Sequence, residues 1–220
     1  DALVLGLSEQ TEFWGYVDLI GAGITEISVE VAEFFNAGKI WTPPVRRDPL
    51  ALDLDNDGID TLPADGSVLF DHNADGVKLS TGWVAPDDGL LVRDIDGNGT
   101  VDNGRELFGD STLMPNGAQA ADGLAALAGL DSNADGQIDA SDSAFTDLRV
   151  WRDLNSDGIS QANELFGLNE LNIQSISTEG VVDGTELADG NVSAKTSSFT
   201  YNDGSVGSAS IGDGVSTGAA

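Results

Sequence analysis

Twice in the chain, at 131–142 (DSNADGQIDASD) and 153–164 (DLNSDGISQANE), oxygen-bearing residues alternate along the backbone around a glycine at the sixth position. Such a segment has little apolar surface to bury and repels itself, so the fold must either leave it as solvated loop or wrap it around a cation. The spacing is that of the EF-hand loop, which takes ligands from positions 1, 3, 5, 7, 9 and 12 and needs glycine at 6 for a sharp turn. It assigns Asp131, Asn133, Asp135, Asp139 and Asp142, with the Gln137 carbonyl, to one site. It assigns Asp153, Asn155, Asp157, Gln161 and Glu164, with the Ile159 carbonyl, to a second.

A third loop emerges from internal repetition. NGTVDNGRELFG, ending at Gly109, resembles SDGISQANELFG, ending at Gly167, and aligning the shared ELFG gives Asp94, Asp96, Asn98, Thr100, Asp102 and Glu106 as a loop one residue longer than the others. Two fragments, Asp53-x-Asp55-x-Asp57-Gly58 and Asp71-x-Asn73-x-Asp75-Gly76, carry only the first half of the pattern. Either they are glycine-capped Asx turns, or they borrow ligands: Asp60 or Asp65 for the first, Asp87 or Asp88 for the second.

The charge balance narrows the partners. With 38 acidic against 9 basic residues, a net charge of -29, the chain lacks the basic face that nucleic acid or an anionic membrane requires. Cysteine is absent and His72, outside the ligand positions, is the lone histidine, so thiolate and imidazole metal sites are excluded and hard oxygen sites remain. Magnesium fits multi-carboxylate cages poorly because it demands tight octahedral geometry and keeps its waters. Calcium is the expected cofactor, and its binding is expected to drive folding. No run of about 18 apolar residues is present, so no membrane span is expected.

Apolar residues at Phe13, Val17, Ile20, Ile24, Ile27, Val31 and Phe34 predict an N-terminal amphipathic helix, ended before Thr42-Pro43-Pro44. Its stripe suits docking on its own module or on another chain. ADGLAALAGL predicts a short helix, short apolar runs between 50 and 110 suit strands or half-turn helices, and SSFTYNDGSVGSASI predicts a hairpin turning at Asp203-Gly204, with the last eight or so residues frayed. The expected fold class is α+β: a loop-rich module with EF-hand-like loops and short helices.

One dipeptide bears on chemistry. Asp48-Pro49 is, on statistics alone, a turn starter. Yet an aspartate carboxylate can attack its own carbonyl to close a five-membered anhydride, and a twisted tertiary amide loses the resonance that protects it. The strings RDPLALDLDNDGIDT, TGWVAPDDGLLVRDIDGNGTVDNGRELFGD and LRVWRDLNSDGISQANEL together resemble the self-processing module of FrpC-like RTX (repeats-in-toxin) proteins, from about residue 47 to 176. The resemblance implies a secreted or cell-surface protein, exported by type I secretion, in which calcium triggers single-turnover autocleavage of Asp48-Pro49. It divides the chain into an arm, 1–48, and a module, 49–220. It also implies an Asp-Lys isopeptide cross-link to a lysine-bearing acceptor, with Lys39, Lys78 and Lys195 the amines of this chain. Asp53, Asp60 or water is the expected acid, and Arg46 and Arg47 are expected to hold Asp48 as a carboxylate. The competing reading is a structural calcium-binding segment with a passive Asp-Pro linker.

Overall fold

Three apolar runs, LAL at 50–52, GLLVR at 89–93 and LRVW at 148–151, do not alternate with polar residues because each forms a strand buried on both faces. Leu50, Leu52, Leu91, Leu148 and Val150 point into one hydrophobic cluster, and Ala51, Leu90, Val92 and Trp151 into another on the opposite face. Period-2 geometry alone produces this division.

The computed structural model describes residues 46–114, 116–187 and 191–217, within the unit Pro44–Ala220; the helix expected over 13–34 lies outside the described residues. The strands in chain order are β1 (Arg46–Arg47), β2 (Leu50–Leu52), β3 (Thr61–Leu62), β4 (Leu69–Phe70), β5 (Leu79–Thr81), β6 (Trp83–Val84) and β7 (Gly89–Arg93). They continue as β8 (Gln137–Asp139), β9 (Leu148–Trp151), β10 (Leu165–Gly167), β11 (Ile173–Ser177), β12 (Val181–Glu186), β13 (Val192–Tyr201) and β14 (Val206–Thr217). An antiparallel path, β10-β9-β7-β2-β14-β13-β11-β8, curls into a half-barrel, with β1 and β5 also paired to β14 and β12 to β13.

The α+β expectation is therefore corrected: the module is mostly β. Among the described residues the one α-helix, α1, is the six-residue Gly123–Ala128. The short apolar runs, too short to separate helix from strand by periodicity, are strands. The predicted hairpin is present, with Gly204 at φ +84 and Thr200 opposite Val206. Its second strand is no frayed tail: β14 runs to Thr217 and pairs with β13, β2, β1 and β5.

α1 covers the first cluster with Leu124 and Leu127. Its N-cap Asp122 accepts from the Ala125 N–H at 2.8 Å and pairs with Lys195 of β13, tying helix to sheet. Asp122→Ala removes both partners, and the loss of the cap is expected to cost about 1–2 kcal/mol. A chemical-denaturation midpoint that stays unchanged would refute this.

Candidate functional site

The five acidic loops share one backbone conformation. In each, the fourth residue has positive φ: Asn56 67, Ala74 55, Gly97 74, Ala134 58 and Ser156 55. So does the sixth, a glycine, at Gly58, Gly76, Gly99, Gly136 and Gly158. That glycine donates its N–H to the first aspartate of the same loop, at 3.2 Å to Asp53, 2.8 Å to Asp71 and Asp94, and 2.9 Å to Asp131 and Asp153. Left-handed backbone at a non-glycine residue costs roughly 1–2 kcal/mol. The two half-loops adopt it as fully as the complete ones do.

The closing carboxylate follows a second shared pattern. Glu164 accepts from the N–H of Leu154 at 3.0 Å and of Gln161 at 3.1 Å, the second and ninth residues of its loop. Asp142 does the same with Ser132 and Asp139, and Glu106 with Ile95 and Asp102. For the loop at Asp53 the corresponding part is played by Asp88, whose two oxygens accept from Leu54 at 3.2 Å and Asp60 at 2.8 Å, the second and eighth residues of that loop. Antiparallel pairing of Leu52 with Gly89 carries the chain of β2 into its loop beside Asp88, so the register supplies the carboxylate that the local sequence lacks. Asp88 thus serves the first half-loop. Asp60 contributes its N–H to that carboxylate, and Asp65 is engaged with Ser67.

These loops concentrate charge. Carboxylate oxygens of Asp53, Asp55 and Asp57 lie within 4.8 Å of one another, as do those of Asp94, Asp96 and Glu106, so both groups can hold a metal ion. Burial pushes Asp88 up to about 7 against two N–H donors, with buried Asp53 adding repulsion, and burial likewise raises Glu106. Contact with Asp55 raises exposed Asp57. Asn133 and Asn155 each donate from Nδ2 to the next ligand aspartate, Asp135 and Asp157. The Gln161 side chain donates to Asp157, while its buried Oε1 has no hydrogen-bond partner among the described residues. An inward-held oxygen at the ninth position fits a cation ligand.

The expectation of short helices around the EF-hand-like loops is corrected: the loops follow β2, β4, β7, α1 and β9, so strands, with one short helix, flank them. Loop pairing also differs from sequence proximity. Val101 donates its N–H to Ser160 Oγ at 2.6 Å, joining the loops at 94 and 153 through their eighth residues. The loop at 71 joins them where Gly104 donates to the Asp71 carbonyl at 2.8 Å.

Asp48-Pro49 lies beside this assembly. β14 holds both flanks in one register, Ile211 opposite Leu50 and Gly214 opposite Arg47. Pro49 therefore falls opposite Gly212 and accepts its N–H at 3.2 Å. Lacking an N–H, proline cannot return the second bond of such a pair. On the other side Leu50 donates to the Phe108 carbonyl at 2.9 Å, and the Asp110 N–H donates to Asp48 Oδ1 at 2.7 Å. His72, buried edge-on against Phe70 with ring centroids 5.0 Å apart, lines both small cavities that Pro49 lines. The expected acids Asp53 and Asp60 line neither, because the first is turned into its loop and the second is exposed. Sequence reasoning missed His72 and Asp110, which reach the junction only through tertiary folding.

The fold and site define a mostly β module, built on acidic loops that can hold cations, that presents one Asp-Pro junction. Residues 50–211 match the SPM domain, and the chain belongs to that family. It is 55% identical over 168 residues to the iron-regulated protein FrpA of Neisseria meningitidis serogroup C, a match covering 76% of this chain. The chain spans only 15% of that relative's length. No helix among the described residues is long and apolar enough to cross a membrane.

Burial raises the Asp88 carboxyl to about 7, so a cation that uses this carboxylate would have to displace its proton below that pH. The sign follows: affinity of the first loop should fall as pH drops below 7, and binding should release a proton. Isothermal titration in buffers of different ionisation heat measures that release, and Asp88→Asn should remove it together with one bound ion. Unchanged stoichiometry in Asp88→Asn would refute the assignment.

Proposed function

We propose that the module binds calcium and, once folded around it, cuts its own Asp48-Pro49 bond as part of a secreted RTX protein. The observation that carries this reading is the Asp48 carboxylate held by the Asp110 N–H at 2.7 Å beside a backbone fixed on both flanks. Calcium is preferred over magnesium because the loops offer several carboxylates and carbonyls to one centre. The ion supplies counter-charge that lets the loops close; the chemistry belongs to the chain.

An oxygen of the Asp48 carboxylate attacks the Asp48 carbonyl carbon, and the bond to the Pro49 nitrogen breaks as that nitrogen takes up a proton. The products are a cyclic anhydride on Asp48 and a secondary amine at Pro49. Intramolecular attack of this kind reaches effective molarities of about 10⁵ to 10⁸ M. Water then opens the anhydride to two carboxyl groups, or a lysine amine opens it to one amide and one carboxylate with loss of a proton. His72 is the titratable side chain common to both cavities at Pro49 and is assigned as the proton donor. Of the described lysines, Lys195 is ion-paired with Asp122 while Lys78 is exposed, which favours Lys78 between the two; Lys39 lies outside the described residues, and a lysine of another molecule is the further alternative.

Asp48→Asn should abolish cleavage in millimolar calcium while leaving the calcium-induced circular-dichroism change intact; fragments at the wild-type rate would rule out side-chain attack. His72→Phe preserves a ring against Phe70 and Trp83 and should slow cleavage at least about tenfold. A wild-type rate in that variant would remove His72 from the mechanism.

A further inference from the structure

The two ELFG copies end differently. At Gly167 an added methyl would meet only the Glu170 side chain, at 3.4 Å and beyond. At Gly109 it would lie 3.3 Å from the Asp48 carbonyl oxygen, 3.4 Å from Asp48 Oδ1 and 3.5 Å from the Asp48 carbonyl carbon. Gly109 has no positive φ, so the backbone does not demand glycine there; an added methyl would instead press on the Asp48 main chain and shift it by a few tenths of an ångström. The next residue, Asp110, donates its N–H to the same Oδ1.

We propose that Gly109 and the main-chain N–H of Asp110 are the positioning element for Asp48, setting the attack angle of its carboxylate on its own carbonyl. The inference rests on the autocleavage reading above. The Asp110 N–H pins Oδ1 and so fixes the orientation of the carboxylate beside its own carbonyl. The missing side chain at Gly109 lets the reacting carbonyl and carboxylate lie directly on the turn.

The turn is rigid without help from Asp48. Thr112 donates its N–H to the Gly109 carbonyl at 3.1 Å, Gly109 donates to Thr112 Oγ1 at 2.9 Å, and that hydroxyl donates to the Leu107 carbonyl at 2.6 Å. Phe108, one residue earlier, accepts from Leu50 on the far side of the scissile bond at 2.9 Å. The element therefore holds Asp48 and, through Leu50, the chain just beyond Pro49 before reaction, which is what preorganisation requires.

Replacing the Asp110 amide by an ester, through incorporation of the matching α-hydroxy acid, deletes that N–H alone. Loss of a hydrogen bond to a charged group should lower the cleavage rate about 10- to 100-fold. The same replacement at Thr112 removes a bond of the same turn that does not touch Asp48 and should slow cleavage far less than the Asp110 ester does. Gly109→Ala should slow cleavage and Gly167→Ala should not, with calcium-induced near-ultraviolet circular dichroism reporting the fold of every variant. In Asp48→Ala, the Asp110 amide proton should shift upfield on losing its carboxylate acceptor. Equal slowing by both esters would make the turn merely structural, and an Asp110 ester that cleaves like wild type would overturn the positioning role. If wild type itself does not cleave, the autocleavage reading fails and this inference with it; cleavage in wild type that the Asp110 ester does not alter sinks the inference alone.

Discussion

Repulsion among carboxylates is the constraint on which the structure depends. A chain of net charge -29 folds five loops so that their aspartates face inward, and it buries Asp53, Asp88, Asp153, Glu106 and Glu164 at the loop bases. Buried like charges stay together only if a proton or a cation neutralises them. Backbone N–H groups supply part of the compensation: every loop turns the N–H of its sixth-residue glycine onto its first aspartate. They do not suffice at Asp88, whose raised pKa records the deficit. A bound cation would remove it and couple folding to ion supply.

The junction inherits that coupling through short connections. Glu106 closes one loop, and four residues later the Asp110 N–H holds the Asp48 carboxylate. Asp71 begins another, and His72 beside it lines the cavities at Pro49. Asp53 begins a third, five residues past Asp48. β14 then binds the chain on both sides of the bond, so the longest strand serves as a splint for it. A proline inside such a ladder is unfavourable for sheet pairing, and the self-cleavage proposed above would give this weak point a use.

What could be read from sequence was whatever is local. The loop conformation follows from aspartates on alternate residues and glycine at the sixth, and the 203–204 turn from Asp-Gly. What could not be read depends on register. Asp88 lies far along the chain from the loop that it completes, and only the pairing of Leu52 with Gly89 brings it there. The loop at 153 pairs with the one at 94 through Val101 and Ser160, although the one at 131 is nearer in sequence. Sequence periodicity points to a mixed fold because short runs buried on both faces, such as 50–52, 89–93 and 148–151, lack the alternation that marks a strand. His72 gave no local sign of its place at the junction, since its neighbours suggested only a loop.

The most direct measurement is intact-mass spectrometry of the chelator-treated 22.7 kDa chain before and after addition of millimolar calcium at neutral pH. Calcium-triggered self-cleavage predicts two fragments whose masses meet between Asp48 and Pro49, formed with calcium and not with chelator. An undivided chain after days in calcium, or the same cut in chelator, would contradict it.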